Sequence, residues 1–427
     1  MSTNKDRPYW WEEAEPQDAD TGPLPVHADV VIVGAGYAGL GAAIPLARAG
    51  RDVIMIERDR PGDGASSRNG GITSGNIRLS FSKLIQKFGM EKAKSFYNEG
   101  AVARTDLFDF IEKEKLQCDF QPSGRFTGAM RPEVLDAMKR EADLLNRHIG
   151  LEPKIIERAD QHDEIGSELY HGGMVRNDIG GVHPAKLHRE LRRVAEASGA
   201  KIFSGTGVTN IRRVGGTFEV TMVKGMIKAN HVIVATNGYT DKGLPWLRRR
   251  LVPVVSEMIA TEPLSPNLMK TLMPKQQMHG ETRLLGHYYR PSPDGTRILL
   301  GGRRYDDDAA KARERLRSGL LEIFPELSGT GLSHHWFGFV AFPMDELPKL
   351  TIHDGVVYAT GFCGSGVVWA RWLGQKAAMI VMGMEEGSSA FDTLPFRAIP
   401  FYNGNPWFLP IMMNWYKLKD RMTGTMK

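Results

Sequence analysis

Three glycine-rich stretches carry most of the chemistry legible in this sequence. The first, Gly34-Ala35-Gly36-Tyr37-Ala38-Gly39, follows the apolar run from Ala28 to Val33 and opens a helix-like segment. In such a strand, turn and helix, the first glycine takes a backbone shape barred to other residues. The second lets a pyrophosphate approach the main chain, and the third lets the helix pack on the strand. The free amides and dipole of the helix N-terminus then hold the anion. A second apolar strand over 52–56 ends at Glu57-Arg58, about twenty residues further on, where a carboxylate can accept both hydroxyls of an adenosine ribose. Strand, turn, helix, strand and acid in this order predict a dinucleotide site.

The second stretch, residues 63–71, contains Ser66, Ser67, Arg68, Asn69, Gly70 and Gly71. It is too rich in glycine and small polar residues for a regular element and reads as a loop that offers its backbone to a ligand. The third joins a strand over 356–360 to a helix over 367–384 through Gly361, Gly364, Ser365 and Gly366, followed by Val367 and Val368. A nicotinamide dehydrogenase needs only the first turn. A tightly held flavin benefits from a second helix N-terminus aimed at the ring end that gains negative charge on reduction, so the pair favours FAD over NAD.

The remaining elements must bring these ends together. Helices are predicted over 91–115, 132–148 with Gly150 just beyond, and 184–198, and Asp306-Asp307-Asp308 caps one that runs to Phe324 before Pro325. Short strands fall over 201–204, 208–213 and 217–223. A buried parallel-type strand from His231 ends at Thr236-Asn237-Gly238, and Leu251 to Gly302 alternates as an antiparallel sheet does. The fold class is therefore α/β: a discontinuous Rossmann-like FAD-binding domain over 26–88, 183–243 and 334–388, with an antiparallel-sheet substrate domain over 89–182 and 244–333. Residues 1–25 form an N-terminal arm and 389–427 an aromatic and basic tail. Pro45 inside the first helix is an anomaly that predicts a kink.

Composition narrows the function classes. The 427 residues are 25% charged and 41% apolar with a net charge of +5, and the basic residues are scattered, which argues against nucleic acid as a partner. Cys118 and Cys363, far apart, make neither a disulfide framework nor a metal cluster. The acidic, aromatic start reads as neither signal nor transit peptide, no stretch is long and apolar enough to span a membrane, and the expected location is cytoplasmic. The tail over 401–421 interleaves aromatic residues with lysines; it is expected to pack back onto the protein, with a peripheral contact at the inner face of the membrane as the alternative.

Beyond these residues, Gly64-Ala65-Ser66-x-Arg68-Asn69-Gly70-Gly71, Gly180-Gly181-x-His183-Pro184, Tyr288-Tyr289-Arg290, Trp336-x-Gly338 and Gly361-Phe362-x-Gly364-x-Gly366-Val367, with Tyr9-Trp10 ahead of the first strand, are shared with a known group. On them the chain resembles the D-amino-acid oxidase (DAO) superfamily of flavoproteins, including glycine oxidase-like folds, and most closely its gamma-glutamylputrescine oxidoreductase-like members. The resemblance implies FAD and oxidation of a C–N bond by hydride transfer to flavin N5, giving an imine that water hydrolyses. The substrate would be a small secondary amine, amino acid or gamma-glutamylated amine, and the electron acceptor oxygen or quinone. It also implies that Val208 closes over the adenine. Related sarcosine oxidases attach their flavin through a cysteine that the stretch from Trp336 to Pro348 lacks, and their carboxylate-binding lysine corresponds to Val368 here.

Candidates for orienting the substrate are Tyr288 and Arg290, which two-residue spacing puts on one strand face, and Arg371 on the late helix. For each a structural role is the competing reading. His334 and His335 must point to opposite faces of a strand, and His183 is read as a helix cap. Other readings are a membrane-associated dehydrogenase passing electrons to quinone, an RNA-associated flavoprotein and a non-catalytic FAD-binding protein.

Overall fold

The computed structural model describes residues 5–19, 22–304, 308–423 and 425. Two eight-stranded sheets organise them. In the first, a path of six strands runs Lys349–His353, Val356–Thr360, Gly225–Val234, His27–Val33, Val53–Ile56 and Lys201–Phe203. Its centre is parallel, with Val31 level with both Ile54 and Val232, and its Val and Ile side chains are buried on both faces. Val208–Val214 and Thr217–Met222 extend it through antiparallel pairing. The sheet thus draws on both ends of the chain and on its middle.

The first helix, Tyr37–Arg48, and the late helix, Gly366–Val381, lie side by side on this sheet because each carries a glycine where the other's backbone passes. A Cβ on Gly41 would stand 2.4 Å from the carbonyl oxygen of Arg371, and one on Gly374 2.1 Å from that of Ala38. This contact aims both helix N-termini at the same space. The first helix continues through Pro45 to Arg48.

The second sheet runs Leu332–Phe342, Val252–Thr261, Ile298–Arg303, Tyr288–Pro291, Met278–Glu281, Arg125–Gly128, Gly173–Arg176 and Lys154–Ile156. One boundary predicted from the sequence needs correction here. Residues 334–342, assigned to the FAD-binding domain, instead pair antiparallel with Val252–Thr261 from Phe342 to Leu332. Their alternation suits a one-sided sheet, and the chain rejoins the first sheet only at Lys349. Helices occupy Met90–Lys113, Pro132–Ile149 with Gly150 left-handed at its end, and Pro184–Ala197. The Asp308 carboxylate caps Ala309–Ile323 by accepting the Ala310 amide at 2.7 Å. Asp306 and Asp307 lie outside the described residues.

The tail folds back. Helix Leu409–Met422 buries Met413 with Tyr402 against Val252, Val254 and Leu285, and the Asp420 carboxylate accepts the amides of Leu284 and Leu285 at 3.1 and 3.0 Å. Among the described residues no helix is long and apolar enough to cross a membrane.

Candidate active site

A cavity of about 590 Å3 lies between the two sheets, and all three glycine-rich stretches reach it. At its floor are Gly34, Gly36, Tyr37 and Ala38, with Glu57, Arg58, Val208, Thr236 and Asn237 along one side. Gly34 is left-handed, and a Cβ on Gly39 would stand 1.9 Å from the Gly34 carbonyl oxygen, so helix and turn touch backbone to backbone. The Glu57 carboxylate accepts the Ala35 amide at 2.8 Å and the Asp59 amide at 3.2 Å. Burial pushes this carboxyl above its ordinary value. Asn237 ties two strand ends together, its side-chain oxygen accepting the Gly361 amide at 2.9 Å.

The loop over 64–71 brings Ser66, Arg68, Asn69, Gly70 and Gly71 to the cavity. Ser66 Oγ accepts the Tyr37 amide at 3.0 Å, which locks loop to helix. The N-terminal arm braces it from behind: Trp10 Nε1 donates to the Asn69 carbonyl at 2.9 Å and Trp11 Nε1 to Ser67 Oγ at 2.8 Å, with the Arg68 guanidinium over the Trp11 ring. At the far end Gly364, Ser365, Gly366 and Val367 line the cavity at the start of the late helix, whose first amides receive no side-chain cap. The roof is the inner face of the second sheet. Its Tyr288 ring lies over Gly301, where a Cβ would come within 2.3 Å of it, and the hydroxyl meets Ser256 Oγ at 3.1 Å.

A family model described as FAD dependent oxidoreductase (DAO) matches residues 29–380. This chain belongs to the DAO family of FAD-dependent oxidoreductases. It is 30% identical over 423 residues to the probable oxidoreductase OrdL of Rhizobium meliloti, covering 97% of each chain. To the gamma-glutamylputrescine oxidoreductase of Escherichia coli it is 29% identical, covering 93% of this chain and 94% of that one. Among solved structures, glycine oxidase from Geobacillus kaustophilus shares the fold with a TM-score of 0.72 at 21% identity, over 88% of this chain and 99% of that one.

The residues present fit the DAO cofactor: an elongated cavity runs from a glycine-floored helix N-terminus beside a buried carboxylate to a second, uncapped one. Five of the expected cofactor residues stand behind the lining. Gly39 packs on Gly34, Ser67 receives Trp11, Gly238 packs on Phe339, Gly361 on Pro343, and Val368 is buried near Gly75.

Two substrate-orienting expectations of the sequence are corrected. Arg290 is fully buried outside the cavity, because backbone carbonyls consume its guanidinium. It donates to Val182 at 2.7 Å, to Pro291 at 3.0 Å and to Gly70 and Gly71 at 3.4 Å, and to Gln121 Oε1 at 3.1 Å. It pins the loop, and among the described residues it pairs with no acid. Arg371 points away from the cavity to an ion pair with Asp106 and lies 4.1 Å from the Phe110 ring centre.

Tyr288 does line the cavity. His183 caps its helix by accepting the Lys186 amide at 3.2 Å, while His334 turns to Glu12 and His335 to Glu257 on the opposite face. The sequence reading missed Arg125, Arg283, Arg303, Arg78, Met258 and Phe342, all in the lining. A signal for Arg303 was present, two residues past Gly301 on the same alternating strand.

Proposed function

We propose that the chain oxidises the C–N bond of an amine or amino acid in the cavity between its sheets. The observation that carries this reading is the convergence on one cavity of both glycine turns, the 64–71 loop and a substrate-side roof, in a chain of the DAO family. FAD, when bound, supplies a hydride acceptor at N5. The first turn, Glu57 and Val208 would hold its adenosine diphosphate part, Ser66 and Arg68 to Gly71 its centre, and Gly364 to Val367 its pyrimidine end, where the helix amides would favour the charge gained on reduction.

The protein's part is positional. Tyr288, Met258 and Ser256 cover the reacting bond and exclude water, and burial holds the Tyr288 hydroxyl above its ordinary pKa, so it stays a neutral donor. The amine must arrive uncharged to release a hydride from its carbon. The resulting imine hydrolyses to a carbonyl compound and a smaller amine or ammonia. Electrons leave the site to oxygen or quinone.

Similarity to gamma-glutamylputrescine oxidoreductase puts gamma-glutamylated amines among the substrates to test. The test is anaerobic addition of sarcosine, proline, pipecolate and gamma-glutamylputrescine to the purified yellow protein. Loss of the oxidised flavin band with one of them is the expected result; a band that no amine or amino acid bleaches contradicts the reading.

A further inference from the structure

The roof carries charge that amine oxidation alone leaves unused. Tyr288 is level with Gly280 on one side and Gly301 on the other. Arg303 lies two residues past Gly301, and Arg125 is level with Met278, two before Gly280, so both share the face of Tyr288. The other arginines of the cavity are answered: Arg58 by Asp59 and Asp241, Arg68 by Asp63, Arg78 by Glu346, and Arg283 by Glu281 and Glu322. Arg125 and Arg303 form no ion pair and no side-chain hydrogen bond among the described residues, yet both line the cavity.

Each guanidinium is held by shape. Arg303 lies 5.3 Å from the centre of the Phe342 ring, which also takes Arg78 at 5.5 Å. Arg125 lies over Gly280, where a Cβ would come within 2.4 Å of its Nη2. Burial lowers both from their ordinary values to about 10, and both remain cations at neutral pH. A cation with no ion pair, set in a partly buried cavity, is a place for an anionic group of a ligand. The proposed phosphate position, at the first glycine turn, is on the opposite wall and does not supply that charge. Arg125 and Arg303 stand on strands three spacings apart in the sheet, about 14 Å at the backbone, with those of Gly280 and Tyr288 between, so each is placed to meet its own carboxylate.

We propose that Arg303 and Arg125 are two separate carboxylate subsites, and that the substrate is an amine with two carboxylates, one on each side of the bond held under Tyr288. This rests on the oxidase reading above.

A matched pair tests it on the holoenzyme: N-(2-carboxyethyl)alanine and N-propylalanine, which differ only in the second carboxylate. Binding is read by calorimetry and by displacement of the flavin absorption band. The diacid is expected to bind about 30-fold more tightly than the monoacid. Arg303→Gln and Arg125→Gln each remove about 30-fold of diacid affinity, and Arg303→Lys and Arg125→Lys restore part of it. Equal affinity of the two compounds for the unmodified protein, which needs no variant, overturns the proposal, as does a Gln variant with unchanged diacid affinity. A diacid that binds as described, with no amine of any kind bleaching the flavin, leaves the subsites standing and defeats the oxidase reading. A monoacid that binds equally and bleaches the flavin does the reverse.

Discussion

The floor and roof of the cavity are built on opposite plans. On the floor, backbone meets backbone at Gly39 and Gly374, and the side chains close to the first turn have partners: Glu57 takes two amides, Ser66 takes the Tyr37 amide, and His188 Nε2 donates to the Ala35 carbonyl at 2.8 Å. On the roof, two cations face the cavity without partners in the described residues. A finished surface is suited to a cofactor that stays, and an unfinished one to a ligand that comes and goes. Binding of cofactor and of substrate is therefore expected to fail separately when the two surfaces are altered.

The largest test of that separation is Gly39→Val. With 1.9 Å available to a Cβ, helix and turn must part, and the variant is expected to purify colourless and to lose more than about 3 kcal/mol of stability in denaturant titration. A yellow, stable variant would break the comparison on the floor side.

Acid should act on the floor next. Burial lowers the His188 pKa from its ordinary value to about 4, so the folded protein keeps this ring neutral while the unfolded chain protonates it below about 6.5. The stability that this provides is complete above pH 6.5 and is lost as pH falls through 4. About 3 kcal/mol disappears over that window. His188→Gln should flatten the acid limb of the denaturation profile; an unchanged limb would exclude His188 as its source.

Two smaller effects sharpen the contrast. Asp420→Ala removes the acceptor of the Leu284 and Leu285 amides, and Leu284 lines the cavity. A loss of about 2 kcal/mol is expected, with weaker carboxylate binding and full flavin content. Flavin content that fell instead would show that the tail serves the floor. Trp11→Phe deletes one hydrogen bond to Ser67 and should cost about 1 kcal/mol in thermal or chemical unfolding, with the flavin band shifted as the loop loosens.

The same contrast governs what the sequence discloses. Floor geometry is local: Gly34 to Gly39, Glu57 and Gly364 to Gly366 lie within a few residues of their motifs, and all but Ala35 and Gly39 line the cavity. Arg290 and Arg371 misled because spacing on a strand or helix gives a face, and only tertiary pairing gives what that face meets. For Arg290 it was the carbonyls of Gly70, Gly71 and Val182, all more than a hundred residues away. Arg125 was illegible for the same reason and Arg303 carried only its spacing from Gly301, since their shared face depends on register among strands from separate stretches of chain. The domain boundary at 334 was misplaced because an apolar run does not disclose its sheet partner, and residues 334–342 pair with Val252–Thr261.

The most direct test of the account is the visible spectrum of the purified protein during anaerobic titration with an amine bearing carboxylates. The account predicts an oxidised flavin band that such an amine bleaches in proportion to the amount added. A colourless protein that takes up no FAD, or a yellow one whose band survives every amine and amino acid supplied, would contradict it.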